Sequence, residues 1–179
     1  MKKRTKSVLL ILILITLVAC QSLNNTSMWE TYKSEIGGFS VQFPDSKGNV
    51  KEIKKTGIAE GKSFDIFHFM VSKEIVYDVW YSDISDSILN NTTTEKYLDT
   101  MVNQLVTGIN GKLLNQSVIK LGDYEGREVK LDAPSDLVVV ARTYIAKDRV
   151  YCAIISTNTE NSYAEDVHTF LNSFRIIGK

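Results

Sequence analysis

Leu137-Val138-Val139-Val140-Ala141-Arg142-Thr143-Tyr144-Ile145 and Arg149-Val150-Tyr151-Cys152-Ala153-Ile154-Ile155-Ser156-Thr157, joined at Lys147-Asp148, decide the fold of this 179-residue chain. Both segments are rich in β-branched and aromatic residues and read as strands. Both also carry consecutive apolar residues where a half-exposed strand would alternate, at Leu137 to Val140 and at Ala153 to Ile155. Such runs predict strands covered on both faces. The connection is far too short for a crossover, so the two strands are antiparallel neighbours.

The cover comes from two amphipathic helices. Thr92-Thr93-Thr94-Glu95 matches a capping box, with the Thr92 hydroxyl on the Glu95 amide. Tyr97, Leu98, Met101, Val102, Leu105 and Val106 then recur at helical spacing, and Gly108 and Gly111 are suited to end the helix. A second capping box, Ser162-Tyr163-Ala164-Glu165, precedes Val167, Phe170, Leu171 and Phe174 at i, i+3, i+4 and i+7. The expected architecture is α+β: a single-domain α/β/α sandwich, with a largely antiparallel sheet and a helix on each face. A β-barrel would leave the wide apolar stripe around Met101 without a partner.

The remaining strands follow from alternation and turn residues. Trp29 to Ser34 and Phe39 to Phe43 form a hairpin across Gly37-Gly38, stopped by Pro44. Residues 49–56 are a weak, charged strand, and residues 57–62 a loop. Residues 63–72 and 74–82 pair across Lys73-Glu74, with Tyr77, Val79 and Tyr81 on one face and Val76 and Trp80 on the other. Residues 112–121 and 127–131 flank a turn, Gly122-Asp123-Tyr124-Glu125-Gly126, and Ala133 to Asp136 makes another break. Arg175-Ile176-Ile177 can add a short terminal strand.

Several of these pieces resemble, in order, the PsbP-like family. They are Gly37-Gly38-Phe39-Ser40-Val41-Gln42-Phe43-Pro44, Tyr77-x-Val79-x-Tyr81, Gly122-x-x-x-Gly126-Arg127-Glu128, Arg142-x-Tyr144 with Arg149-x-Tyr151, and Phe170-Leu171-Asn172-Ser173-Phe174. They cover nearly all of the chain after residue 28. The resemblance implies the sandwich reached above, a fold shared with the Ran-binding Mog proteins. It also implies a mainly non-enzymatic family of photosystem accessory and assembly factors and of secreted or lipid-anchored bacterial proteins. No binding residue of the family maps onto this chain, and a fold carries no function with it.

The start of the chain sets its expected location. Lys2, Lys3, Arg4 and Lys6 precede an apolar run from Val8 to Ala19 broken only by Thr16. That run is shorter than the roughly 20 residues a spanning helix needs and reads as a secretory signal. It ends in Leu17-Val18-Ala19-Cys20, which looks like a bacterial lipobox, with the Cys20 thiol receiving a diacylglyceryl group. The competing reading is a plain secretory signal with an incidental cysteine. The expected organisation is therefore a signal at 1–19, a lipidated Cys20 with a polar tether at 20–28, and the domain at 29–179. The protein would sit in the cell envelope: on the periplasmic face of the outer membrane in a diderm, since Gln21 is not the retaining Asp, and on the outer face of the plasma membrane in a monoderm.

Charge and chemistry narrow the function classes. The 21 basic side chains less the four of the leader leave 17, against 21 acidic ones. A mildly acidic domain offers no electrostatic footprint for nucleic acid. Neither His68 nor His168 belongs to a metal-ligand pair; His68, inside a strand, is expected to be partly buried and hydrogen-bonded, and His168 solvated. Signatures of serine hydrolases, phosphate loops and dinucleotide sites are missing from the sequence. Asp83-Ile84-Ser85-Asp86 lacks the carboxylate spacing of a calcium loop and reads as a solvated turn. Cys152, within an apolar run, reads as a buried inert thiol.

The expectation is a lipid-anchored, non-catalytic binding or assembly module for an envelope protein partner, with no cofactor and no metal. The charged turn residues Asp123, Tyr124, Glu125, Arg127 and Glu128 are the candidate recognition loop. The alternatives are an envelope hydrolase with carboxylates assembled from distant segments and a carrier of small apolar ligands. Cys20→Ser is expected to block thioether formation and lipoprotein-type processing. Mass spectrometry of the native protein checks this, and an unmodified Cys20 at the mature terminus would end the lipoprotein reading.

Overall fold

The computed structural model describes residues 29–44, 49–59, 62–72, 75–158 and 165–177. The leader, Cys20, the tether, the Lys73-Glu74 connection and the Ser162 capping box lie outside the described residues. The deciding pair is present as β8 (Leu137–Ala146) and β9 (Arg149–Asn158), antiparallel across a tight turn in which Lys147 takes a left-handed φ of 56°. They lie inside a seven-stranded sheet of order β3-β4-β5-β9-β8-β7-β6. Its other strands are β3 (Lys51–Ala59), β4 (Lys62–Ser72), β5 (Val76–Asp83), β6 (Lys112–Leu121) and β7 (Tyr124–Ala133). Every strand pairing among the described residues is antiparallel. Residues 57–59 and Lys62 are strand rather than the expected loop, because β3 and β4 hold register up to Ala59↔Lys62.

The single expected sheet is two. β1 (Trp29–Ser34), β2 (Phe39–Pro44) and β10 (Arg175–Ile176) form a separate three-stranded sheet. Gly38, at φ 69°, closes the β1–β2 hairpin with its N–H on the Ser34 carbonyl, and the Ile177 N–H bonds the Gly38 carbonyl as β10 joins β2. The hairpin does not extend the large sheet because its alternating Phe39, Val41 and Phe43 are fully buried. They pack on aromatic rings of the long sheet and the last helix instead.

Three helices complete the described chain: α1 (Asp86–Asn91), α2 (Thr94–Gly108) and α3 (Glu165–Ser173). The short α1 was not expected, and it shifts the next cap. Thr92 is spent in the extended junction after α1, so Thr93 caps α2, accepting from the Lys96 N–H at 3.3 Å. At the other end Asn110, not a glycine, takes the left-handed position, at φ 51°. The Gly111 N–H reaches the Val106 carbonyl and the Asn110 N–H that of Thr107, the two bonds of a Schellman motif.

Residue parity along β9 sorts the core. Tyr151, Ala153 and Ile155 join Tyr77, Val79 and Tyr81 of β5, Phe39, Val41 and Phe43 of β2, and Val167, Phe170, Leu171 and Phe174 in one cluster. Cys152 belongs to another, with Val129, Leu131, Val139 and Ala141 and with Val102 of α2. Leu98 of α2 closes a third with Ile84, Ile145 and Val150. Phe170 is wholly buried, with ring centres 5.4 Å from Phe43 and 5.3 Å from Tyr77. Phe170→Ala is expected to destabilise the domain by about 3–5 kcal/mol, read from denaturant melts; a loss below about 1 kcal/mol would make α3 peripheral.

Candidate functional site

The charged stretch from Asp123 to Glu128 is not a loop. Only Gly122, at φ 61°, and Asp123 make the turn, and β7 begins at Tyr124, paired with Leu121. Gly126 serves close packing rather than turn geometry: a Cβ there would lie 2.5 Å from the Thr143 carbonyl oxygen and 2.6 Å from the Tyr144 ring. With the strand starting early, alternation sends its side chains to opposite sides of the sheet. Arg127, only 5% exposed, donates through Nε to Asp99 of α2 at 3.0 Å and through Nη1 to the Gly126 carbonyl. Glu128 faces the other way and accepts from Arg142 Nε at 2.6 Å, while Arg142 Nη1 donates to Asn172 of α3. Arg127 thus ties the sheet to α2, Glu128 steadies the Arg142 that reaches α3, and only Asp123 and Glu125 of the five remain exposed.

Next to this turn lies a surface that sequence reasoning missed. β6 ends the seven-stranded sheet, and seven of its ten residues in succession are exposed. Leu113, Leu114 and Val118 are 40, 51 and 69% exposed. A register shift between Leu113 and Asn115 marks a bulge, after which Asn115 to Leu121 run regularly along β7. The strand was expected; its place at an edge was not. The one signal in the sequence is the charge-free run between Lys112 and Lys120, where an edge would usually carry a charge or a proline.

A second built feature joins the two sheets. Arg149 Nη1 donates to the carbonyls of Ile36 and Gly37, both at 2.9 Å, and the Tyr151 hydroxyl donates to the same Gly37 carbonyl at 2.9 Å. Arg149 Nε is held by Asp83 at 2.6 Å, and its guanidinium lies 4.3 Å from the centre of the Tyr81 ring. Gly37, Tyr81, Arg149 and Tyr151 are among the residues on which the resemblance rests.

No protein-family model and no curated protein matches the chain. Among solved structures, cyanobacterial PsbP from Synechocystis sp. PCC 6803 is similar over 86% of this chain and 95% of its own, at 11% identity and a TM-score of 0.58. The fold is PsbP-like. A protein of unknown function from Pseudomonas aeruginosa aligns over 74% of this chain and 85% of its own at 9% identity, with a TM-score of 0.41, too low to bear on the assignment.

Within this PsbP-like fold two buried side-chain oxygens among the described residues, Asp78 Oδ1 and Thr157 Oγ1, lack a hydrogen-bond partner. His68 Nδ1 lies 2.8 Å from Asp78 Oδ2, the partly buried and hydrogen-bonded state expected of it. The acidic segment is solvated at Asp83, Ser85 and Asp86, as expected, but Asp83 ends β5 and holds Arg149 while Asp86 opens α1. Among the described residues no group of three or more His, Cys, Asp or Glu could hold a metal ion. A shallow groove of about 440 Å³ between β2 and α3 is lined by polar side chains, including Gln42, Asn172 and Arg175.

Cys152 is fully buried and accepts from the Thr143 hydroxyl at 3.2 Å. Burial pushes its thiol up to about 12 from 9.0, against the opposing effect of Thr143. Burial likewise raises Tyr77 to about 12 from 10.0, with Asp166 adding to it. Because the folded values lie above the unfolded ones, the unfolded chain loses protons first as the solution turns alkaline. The stability contributed by these neutral groups is complete below about pH 9 and should drain away between about pH 9 and 12. Denaturant midpoints that stay level from pH 8 to pH 11 would contradict this.

Proposed function

We propose that the chain is a lipid-anchored, non-catalytic protein of the cell envelope that acts as a binding or assembly module for an envelope protein partner. In this reading Cys20 carries acyl chains that hold it to the membrane, and residues 21–28 tether the domain. The domain itself is read as an α/β/α sandwich, with α2 on one face of the long sheet and α3, sharing its layer with the three-stranded sheet, on the other.

The observation that supports a binding role is the β6 edge. The inner strands β5, β9 and β8 cover their apolar side chains wholly or in part, except Leu137 at the start of β8, whereas Leu113, Leu114 and Val118 stand in solvent along one ten-residue strand. Exposed apolar side chains grouped on an edge, with unpaired backbone donors and acceptors beside them, are a template for another chain. Asp123 and Glu125 lie at the end of this edge and supply charge at its rim.

The test is a photo-crosslinking residue placed at Val118 in the full-length protein in intact cells, with Asn103 on the exposed side of α2 as comparison. A discrete adduct specific to Val118 is expected; equal, diffuse labelling from both positions would remove β6 as a binding surface.

A further inference from the structure

We infer that β6 is the seam of a homodimer, in which a second copy of this chain adds its own β6 antiparallel across a two-fold axis at Val118. This rests on the binding role proposed for the same edge and names its occupant.

The register follows from the strand itself. The bulge interrupts the ladder between Leu113 and Asn115, so the regular run is Asn115 to Leu121, and Val118 is its midpoint. Antiparallel pairing about that midpoint sets Val118, 69% exposed, against Val118 of the second copy. It sets Gln116 against Lys120 of the second copy, and Asn115 against its Leu121. Past the bulge, which takes up one extra residue, Lys112 at both ends of the seam comes level with the β6–β7 turn of the second copy, where Asp123 is exposed. No like charges oppose one another along the paired run, and each Lys112 lies beside an exposed aspartate of the second copy's turn. The edge is therefore complementary to itself in apolar surface and in charge, the requirement of an isologous contact.

The same pairing accounts for what the edge lacks. Lys112, Lys120 and the bulge guard the ends of β6, but Asn115-Gln116-Ser117-Val118-Ile119 between them contains no proline and no charge. Val118 pairs with Arg127 of β7, and Arg127 is held by Asp99, so Val118 lies on the α2 side of the sheet. Gln116, within 3.5 Å of Asp99 on that side, stands beside it. A single strand pair buries less than the roughly 1,200 Å² of a standard stable interface, so the dimer is weak in free solution. Confinement of anchored copies to one membrane plane raises their effective concentration and favours it.

The experiment uses the full-length chain in its native membrane. Val118→Cys should give, on oxidation, a disulfide-linked species at twice the chain mass, because opposed Cβ atoms of an antiparallel pair approach closely enough to bridge. Leu114→Cys, also exposed but away from the axis, should stay at single-chain mass, as should the unsubstituted protein, whose Cys152 is buried and whose Cys20 thiol is taken up by lipid in the proposed reading. Lys112→Asp should reduce the Val118→Cys product, and Asp123→Lys in the same chain should restore it. An unchanged circular dichroism spectrum and melting temperature establish that Val118→Cys is folded. A folded Val118→Cys chain that forms no more dimer than Leu114→Cys overturns the proposal, and so does self-linking of Gln116→Cys in its place. If the Val118 photo-adduct carries a different envelope protein and no disulfide dimer forms, the homodimer falls and the binding role stands. If neither product appears, both fall.

Discussion

The fold turns on one carbonyl. Gly37 sits in the β1–β2 turn and its oxygen accepts from both Arg149 and Tyr151 of β9, a strand more than a hundred residues later. Burial opposes the charge on Arg149, but Asp83 and Tyr151 outweigh it and raise the pKa of the guanidinium further. A charged donor held in place on one side can therefore fix the turn on the other. Gly37 has no side chain for a packing reason: a Cβ would stand 2.7 Å from the Phe39 ring and from Ser34 Oγ. Once the turn is fixed, Phe39 is delivered to Phe69 at 5.2 Å and Phe174 at 6.0 Å, and Phe174 stacks on Tyr144 at 5.9 Å. The small sheet, the long sheet and α3 thus meet at one aromatic node.

Tyrosine hydroxyls at the margin of that node explain how so many rings can be accommodated. Tyr32 bonds Glu52 and Tyr151 bonds Gly37, so the ring bodies are buried while the polar tips are satisfied. On the α2 side the cover is narrower and the means differ. Arg127 reaches up from β7 to Asp99, and Trp80 packs between the two smaller clusters. Fifteen helical residues cannot shield a sheet of seven strands, and the two edge strands are left to solvent. β3 meets it mainly with Lys51, Lys54 and Lys55 beside Ile53, whereas β6 sets Leu113, Leu114 and Val118 between its two lysines, Lys112 and Lys120. This asymmetry, rather than any pocket, is the feature that the functional proposals rest on.

Likeness to cyanobacterial PsbP extends over most of both chains at 11% identity, which is a statement about fold. The short motifs behind the resemblance are accounted for by structure: hairpin glycines, alternating ring positions on β5, the β9 clamp and the inward face of α3. They hold the domain together, and that is why they identify the architecture without indicating an activity.

What the sequence by itself determined is what local pattern encodes. Consecutive apolar residues at Val138 to Val140 and Ala153 to Ile155 marked inner strands, the spacing of Val167, Phe170, Leu171 and Phe174 marked one buried helical face, and Gly37-Gly38 marked a hairpin. Each depends on neighbours within a few residues. Where neighbouring signals competed, position slipped: Thr92 and Thr93 are equivalent as caps until α1 claims the first, and Gly126 looks like a turn residue until Tyr144 lies over it. Only the tertiary structure decided which strands stand at the edges, since strand order is set by long-range pairing that no local period records. It alone gave Arg127 and Glu128 their separate partners, Asp99 on one face and Arg142 on the other, and started β7 three residues earlier than expected, so that little of the charged turn is left. And it alone left Val118 in solvent, for the same alternation that buries a residue in the middle of a sheet exposes it at the rim.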